Sequence, residues 1–474
     1  MSFASIQYAV FLTIVYGLYR MMSHRQQNLM LLAASYIFYG AWDWRFLGLM
    51  LISTVIDYAV ALRLRTAEAP RARKGLLLVS ICANLGLLGA FKYFNFFASS
   101  LADLAGAFGI TLHWTTLSIV LPVGISFYTF QTLSYTIDVY RRKLEATDRF
   151  FDFALFVAFF PQLVAGPIER ASHLLPQVLK PRTITWDQST RGVYLIAFGL
   201  FKKVVIADGV AHSVDTIYNA GLNVTWADII LATYLFALQI YCDFSGYSDI
   251  ARGSAKLMGF DIMVNFRLPY FSSNPSEFWR RWHISLSTWL RDYLYSPLGG
   301  NHHGTAKTYR NLMTTMVLGG LWHGAAWNFV LWGVFQGAIL CIHRPFAKGR
   351  KDAPPRTGLS AWVMQAASVA FFFHVTCYGW LLFRARSFEQ IAVYTARLVT
   401  DFGNLHTSIP MPPFATLLGI PLLVLLDTCE YQKGTAQFYR HWVAPARGLL
   451  YAALAFVFLM GTSNEPSQFI YFQF

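Results

Sequence analysis

The chain has 474 residues, of which 55% are hydrophobic and only 13% are charged. Soluble domains carry roughly 25% charged residues, so this composition excludes an ordinary soluble protein and indicates one that lies mostly in lipid. The 38 basic and 24 acidic residues give a net charge of +14. We attribute this excess to cytoplasmic loops rather than to nucleic-acid binding, because membrane proteins concentrate Lys and Arg on the cytoplasmic side.

Apolar segments long enough to cross a bilayer, on the order of 20 residues, recur along the whole chain. The first, residues 3–19, has no basic segment before it and no small-residue cleavage site after it, so we interpret it as a retained span and not as a signal peptide. The predicted spans are 3–19, 28–43, 45–62, 75–98, 117–136, 192–210, 226–246, 311–322, 325–342, 360–383, 413–427 and 448–461.

Two shorter or more polar segments, 150–165 and 276–298, are predicted to be re-entrant or interfacial helices. The sequence has no internal repeat and no soluble domain. We therefore expect one all-α polytopic membrane domain over residues 1–474, with about 11–12 transmembrane helices.

Four basic segments set the predicted orientation, because Lys and Arg mark cytoplasmic loops. They are residues 63–74, 141–143, 344–356 and 433–447. Counting spans from these loops places both termini outside the cytoplasm. The spans 311–322 and 325–342 fit a hairpin that begins and ends on the cytoplasmic side.

The first candidate for chemistry is His323, which follows an apolar span directly and lies between Trp322 and Gly324. No Asp, Glu, Lys or Arg occurs between Arg310 and Arg344. Ionisable groups at membrane depth are costly and mark functional sites, although a lone histidine in a span is as readily structural. A neutral histidine in such a setting has a pKa suited to a general base. We predict that His323 is a catalytic base.

The second candidate is His283, on a segment that is predicted to be helical. Glu277 and Arg281 are four residues apart there and can pair on one face. His283 follows Arg281 by two residues, roughly 200° further round the helix, so periodicity alone does not aim it at His323. An interfacial histidine bonded to a helix terminus remains an alternative. An amphipathic helix at the cytoplasmic boundary would by itself account for the tryptophans and arginines of this segment.

Other reaction classes find no support. The chain has no phosphate-binding glycine loop, no dinucleotide fingerprint and no Gly-x-Ser-x-Gly motif. The segment 243–249 carries two aspartates and is predicted to cap or break a helix rather than to bind calcium. His302 and His303 are interpreted as solvated, and the scattered cysteines suggest neither disulfides nor a metal site. The cysteines are Cys82, Cys242, Cys341, Cys377 and Cys429.

Several longer motifs resemble one family. The block 277–300 with its Arg-Trp-His core, followed by Trp322-His323-Gly324, resembles the membrane-bound O-acyltransferases. The narrower likeness is to the bacterial branch that contains alginate O-acetyltransferase and the D-alanyl transfer protein of teichoic acid synthesis. Further agreement lies at 122–128, 165–170, 243–252 and 469–474, the last looking like the alginate type. The match is dense over 122–329 and loose over the rest.

The resemblance implies a cone of helices around a central tunnel, with the catalytic histidine at His323 and the second polar position at His283. It implies a thioester donor, acetyl-CoA, that enters from the cytoplasm, with no bound cofactor and no metal. Basic residues at the cytoplasmic mouth would attract the donor's phosphates. Each of them fits equally well as a residue that only marks the cytoplasmic side of the membrane. The donor-binding candidates are Arg280, Arg281, Arg291 and Trp282, and the candidates that would stabilise the oxyanion or support the site are Asn328, Trp322 and Asp292.

No periplasmic hydrolase domain follows the last predicted span, so we expect a separate periplasmic SGNH-type partner that carries the acyl group to the polymer. The family likeness implies a bacterial inner-membrane enzyme that O-acetylates an exported polysaccharide, with alginate or cellulose favoured. D-alanyl or peptidoglycan O-acyl transfer by the same mechanism remains open. A transporter is less favoured, because no duplicated halves are visible, and a scaffold of an export complex is a third alternative.

Overall fold

The computed structural model of the chain describes residues 1–112, 121–164, 166–348, 358–436, 438–461 and 469–470. Within these ranges all regular structure is helical, which confirms the all-α prediction. The α-helices are α1 (Ile6–Met21), α2 (His24–Asp43), α3 (Leu47–Thr66), α4 (Pro70–Leu88), α5 (Phe94–Ala107), α6 (Ile125–Tyr140), α7 (Phe150–Ala158), α8 (Phe160–Leu163), α9 (Ala171–Leu179), α10 (Trp186–Leu200), α11 (Asp208–Asn219), α12 (Trp226–Leu257), α13 (Pro275–Arg281), α14 (Ile284–Leu290), α15 (Thr305–His323), α16 (Trp327–Lys348), α17 (Leu359–Arg384), α18 (Phe388–Thr400), α19 (Phe414–Lys433) and α20 (Ala444–Met460).

The helices include enough long apolar stretches for a multi-pass membrane protein, as predicted. By length and composition, six described stretches could cross a membrane: His24–Thr66, Pro70–Ala107, Trp226–Leu257, Trp327–Ala347, Leu359–Arg384 and Phe414–Lys433. The first stretch contains both α2 and α3, and the second contains both α4 and α5. The described residues of the other predicted spans fall on shorter or more polar helices, so the count of 11–12 stays a prediction. Residues 117–120 of the predicted span 117–136 lie outside the described residues.

The segments predicted to be re-entrant or interfacial are broken into short helices. Residues 150–165 contain α7 and α8, and residues 276–298 contain parts of α13, α14 and a π-helical turn. The α13 helix begins where it does because Asn274 Oδ1 accepts a hydrogen bond from Glu277 N at 2.9 Å, with Pro275 at the first helical position. The predicted pair on this segment is confirmed, with Arg281 Nη2 2.9 Å from Glu277 Oε1.

The chain divides into two compact units, of which the first comprises Met1–Ile196 and Ile250–Met263. In this unit Arg73 joins the ends of two helices. Its guanidinium donates to Leu64 O at 2.6 Å, near the end of α3, and to Tyr140 O at 2.7 Å, at the end of α6. The predicted cytoplasmic loops 63–74 and 141–143 therefore lie at the same end of these helices, as their shared orientation requires.

The second unit comprises Ala197–Asp249 and Val264–Phe474 and contains the predicted hairpin. The hairpin is formed by α15 and α16, which run antiparallel with their backbones in close contact. A Cβ atom on Gly333 would lie 2.5 Å from Met316 O, and one on Gly320 would overlap Phe329 O. Only glycine permits this approach, and the close pairing places the end of α15 beside the first turns of α16.

The prediction that the segment 243–249 caps or breaks a helix is wrong. The α12 helix runs without interruption through it, because both aspartates are paired with lysines. Asp243 Oδ1 lies 2.7 Å from Lys203 Nζ, and Asp249 Oδ2 lies 2.5 Å from Lys202 Nζ. Buried charges are tolerated in such positions when they are paired.

Candidate active site

His323 lies at the end of α15, in an aromatic setting built by three helices. The helix stops there because the next residue, Gly324, adopts an extended conformation. The imidazole is 4% exposed. Its ring centroid lies 5.1 Å from Trp322 on the same helix, 5.1 Å from Trp332 on α16 and 5.5 Å from Phe383 on α17. The predicted catalytic base is therefore held on several sides by indole and phenyl rings.

His283 lies in the break between α13 and α14, with its backbone in the left-handed region at φ +41°. Non-glycine residues rarely adopt this conformation. The side chain is completely buried, and its ring meets Phe244 on α12 edge-on at 4.6 Å. The ring of Trp322 lies 5.9 Å away. The left-handed turn thus directs the imidazole away from the direction that a continuous helix would give it.

The structure brings the two predicted catalytic histidines together. The ring centroids of His283 and His323 lie 6.4 Å apart. Two imidazoles that each hydrogen-bond one common oxygen at about 2.8 Å have centroids on the order of 7 Å apart. The spacing therefore suits a single reacting group held between the two rings.

Burial sets the protonation state of His283, which lies outside the six candidate membrane-spanning stretches. Burial, and next the proximity of His323, lowers the pKa of His283 well below 6.5. His283 is therefore neutral at physiological pH. A neutral imidazole offers one N–H donor and one nitrogen acceptor, both of which acyl transfer can use.

Trp282 was predicted to bind the donor, and it lies inside the aromatic core around the histidines. It is 1% exposed and stacks on Phe278 at 5.5 Å. Its ring also lies 4.8 Å from Trp380, which in turn stacks on Trp332 at 6.2 Å. A chain of indoles thus runs from the residue beside His283 to the ring that touches His323.

The three arginines predicted to bind the donor differ in their surroundings. Arg280 and Arg291 are exposed, whereas Arg281 is half-buried and held by Glu277. Arg291 Nε lies 2.7 Å from Asp292 Oδ1. Asp292, which was predicted to support the site, therefore has Arg291 as its ion-pair partner in this structure.

Asn328 and Trp322 were predicted to stabilise an oxyanion, and they lie in different settings. The Asn328 amide group donates to Phe383 O at 3.0 Å and to Ala385 O at 3.0 Å. Both of its N–H bonds are thereby used, which leaves no donor for an oxyanion in this conformation. The amide instead fastens α16 to the end of α17 and so holds Phe383 against His323. Trp322 is the one of the two whose ring lies beside both histidines.

Several residues around the histidines were not singled out from the sequence. Trp332 and Phe383 lie within predicted spans, where an aromatic residue gives no signal of its own. Phe244 lies in the segment 243–249, which drew attention for its aspartates only. A usable signal was present at Lys202 and Lys203, because two ionisable residues inside the predicted span 192–210 mark a polar interior.

The described C-terminal residues also reach this region. Ile470 N donates to Asp243 Oδ2 at 2.7 Å, and the Phe469 ring lies 6.0 Å from Phe244. Phe244 is the residue whose ring meets His283. Residues 471–474 of the motif predicted at 469–474 lie outside the described residues.

A metal centre finds no support in the described part of the chain, which contains no group of three or more His, Cys, Asp and Glu side chains close enough to hold an ion. His302 and His303 are exposed, in agreement with their interpretation as solvated residues.

Comparison with known proteins shows which family the chain belongs to. The profile of the membrane-bound O-acyltransferase family matches residues 147–383, a range that contains both histidines. The chain is 42% identical to a "probable alginate O-acetylase" of Azotobacter vinelandii, covering 91% of this chain and 84% of that protein. It is 31% identical to a peptidoglycan O-acetyltransferase of Helicobacter pylori, covering 94% and 91%. It is 26% identical to a teichoic acid D-alanyltransferase of Bacillus subtilis, covering 56% and 70%. This chain thus belongs to the membrane-bound O-acyltransferase family, in its alginate O-acetylase-like branch, and is an acyltransferase.

Proposed function

We propose that this acyltransferase takes an acetyl group from acetyl-CoA on the cytoplasmic side and passes it across the membrane for O-acetylation of an exported polysaccharide such as alginate or cellulose. The observation that carries the proposal is the burial of His323 and His283 together, 6.4 Å apart, in an aromatic core. The names of the relatives that resemble the chain over most of its length support acetyl as the acyl group.

His323 acts as the general base. It takes the proton from an acceptor hydroxyl, whose oxygen then attacks the thioester carbonyl to give a tetrahedral intermediate. The intermediate collapses by breaking the carbon–sulfur bond. The leaving thiolate takes the proton back from His323, so the products are the acetyl ester and free CoA thiol, with no net change in the enzyme.

His283 orients and polarises the reacting group. Being neutral, it offers a single N–H, which is donated to the thioester carbonyl while His323 takes the hydroxyl proton. Trp322 lies against both rings, and its indole is the candidate for stabilising the oxyanion beside them. Donors placed where negative charge develops lower the barrier of acyl transfer.

The aromatic core protects the activated acyl group from water. The rings of Trp332 and Phe383 lie against His323, and Trp332 and Trp380 are almost completely buried. A site lined by such rings favours transfer over hydrolysis, because water is excluded from the thioester.

The exposed arginines are suited to attract the donor. Arg280 lies in α13 before the break at His283, Arg291 follows α14 after it, and both expose their side chains. Positive charge near the entrance of a site raises the local concentration of a phosphorylated substrate such as CoA. Arg281 contributes mainly through its ion pair with Glu277.

The acetyl group then leaves on the outer side of a bacterial inner membrane. A separate periplasmic protein of the SGNH type, carrying a nucleophilic hydroxyl, accepts it and delivers it to the polymer. Both termini lie outside the cytoplasm in this arrangement. A second candidate is O-acetylation of peptidoglycan, favoured by the likeness to the Helicobacter pylori enzyme along nearly the whole of both chains.

Membrane vesicles of opposite sidedness test the donor and the direction. Everted vesicles that contain the chain and its native partners expose the cytoplasmic face to added acetyl-CoA, which cannot cross the bilayer. We expect free CoA thiol in the medium outside these vesicles and esterified acetate inside them. Right-side-out vesicles should release thiol only after detergent opens them. Equal release of thiol from both intact preparations would contradict the proposed direction of transfer. If neither preparation releases thiol after detergent opens the vesicles, acetyl-CoA is not the donor.

A further inference from the structure

The backbone turn that carries His283 is fastened by a residue from another part of the chain. Arg267 N donates to Arg281 O at 2.9 Å, and Ile284 N donates to Asn265 O at 2.9 Å. Residues 265–267 therefore run alongside the break between α13 and α14. His283 lies between the two bonded positions, with its backbone in the left-handed region.

The Asn265 side chain caps α14 in place of His283. A residue at a helix N-cap usually accepts a hydrogen bond from an N–H group of the first turn through its own side chain. His283 occupies this position and makes no such capping bond. Asn265 Oδ1 accepts instead from Ser285 Oγ at 2.7 Å and from Ser285 N at 3.4 Å. The His283 imidazole therefore takes no part in capping α14 and lies towards His323 instead.

The same amide is anchored to α12. Asn265 Nδ2 donates to Ser248 Oγ at 3.1 Å, and all three polar side chains are buried, with Asn265 1%, Ser248 2% and Ser285 0% exposed. Ser248 lies one turn after Phe244, whose ring meets His283 edge-on. The α12 helix therefore supports His283 at two points, through the ring of Phe244 and through the amide of Asn265.

We propose that Asn265 is a positioning residue for acyl transfer, which holds the left-handed turn at His283 and so places its imidazole at the working distance from His323. The inference rests on the proposed function of the two histidines. Without the amide, the strained backbone at His283 can relax to an ordinary conformation, and the ring moves away from the reacting group.

The test compares Asn265→Ala and Ser248→Ala with Asn311→Ala. Asn311 is a suitable control because it is an equally buried asparagine whose amide donates to Leu298 O and Gly300 O, away from this turn. In acetyl-CoA turnover, Asn265→Ala should have a kcat lowered on the order of 10- to 100-fold, because a misplacement of the His283 ring by about 1 Å has effects of this size. Its KM for the donor should stay within about twofold of wild type. Asn311→Ala should keep the wild-type kcat. An equal loss of kcat in Asn265→Ala and Asn311→Ala would overturn the proposal.

A structure of Asn265→Ala in nanodiscs separates this inference from the proposed function. The His283 backbone should leave the left-handed region, and its ring should move relative to His323. An unchanged position of His283 would overturn the inference even where acetyl transfer is established. If Asn265→Ala does not fold, Ser248→Ala takes its place in both measurements, because it removes only the hydroxyl that anchors the Asn265 amide. Unchanged turnover and an unmoved His283 ring in Ser248→Ala would then overturn the proposal.

Discussion

The imidazoles of His283 and His323 lie 6.4 Å apart although 40 positions separate them in the sequence. Each reaches the site by a local feature of the backbone. His323 ends α15 at the tip of a hairpin whose helices touch through glycines, and His283 occupies a left-handed break between two seven-residue helices. Acyl transfer by this chain should therefore depend on both imidazoles and on the features that deliver them.

Replacing His283 by alanine should lower kcat on the order of 10²- to 10⁴-fold, the usual contribution of a positioned acid or base. The variant should fold, because the phenyl and indole rings around the site remain. Release of CoA thiol by purified protein is the measurement, with His302→Ala as the control for loss of an exposed histidine. A His283→Ala variant with wild-type kcat would show that the second imidazole has no part in the reaction.

Acid should destabilise the protein through His283. Its pKa lies below 6.5 in the folded chain because of burial, so below about pH 6.5 the unfolded chain binds a proton that the folded chain does not. Stability therefore falls as the pH drops through this range. Between pH 8 and pH 5, the thermal midpoint of wild type should fall more steeply than that of His283→Gln. Parallel plots of midpoint against pH for the two proteins would contradict the role of His283 in acid destabilisation.

Replacing Gly333 by alanine should force α15 and α16 apart, because the new methyl group meets Met316 O. Overpacking of this kind costs about 1–3 kcal/mol, and the displacement of His323 should abolish turnover. Gly86→Ala is the control, since no heavy atom outside its own helix lies within 4 Å of the added carbon. Its thermal midpoint should be unchanged or slightly raised, as expected for alanine in a helix. Equal midpoints for the two variants would argue against the close helix contact.

Replacing Lys203 by methionine should destabilise the second unit. Lys203 Nζ lies 2.7 Å from both Asp243 Oδ1 and Asp208 Oδ1, and all three side chains are buried. Removing one partner of a buried pair costs about 3–5 kcal/mol, because the remaining charge loses its compensation. Changing both aspartates to asparagine in the same chain should restore much of the thermal midpoint. If the thermal midpoint does not recover in this triple variant, the unpaired aspartate charges are not the cause of the destabilisation.

The sequence predicts well what depends on neighbours along one helix. The recurrence of apolar segments predicts an all-α multi-pass protein, and the four-residue spacing predicts the pair of Glu277 and Arg281. The position of His323 at the end of an apolar span, without charged neighbours, marks it as a candidate. These inferences need no knowledge of distant contacts.

Distant contacts explain what the sequence does not predict. A continuous helix would turn His283 away from its observed direction, and the break that redirects it is held by Asn265, 18 positions upstream. The aspartates of the segment 243–249 look like a helix break until Lys202 and Lys203 are seen beside them. In both cases the partner lies on another element, where periodicity carries no information.

The most direct test of the central claim is the release of CoA thiol from acetyl-CoA by purified protein in nanodiscs, with a hydroxyl acceptor from the native partner. Wild type is compared with His323→Ala and with His303→Ala, an exposed histidine of the loop before α15. We predict that wild type and His303→Ala release thiol at the same rate and that His323→Ala, although folded, releases none above background. Equal release by His323→Ala and wild type would contradict the assignment of His323 as the catalytic base.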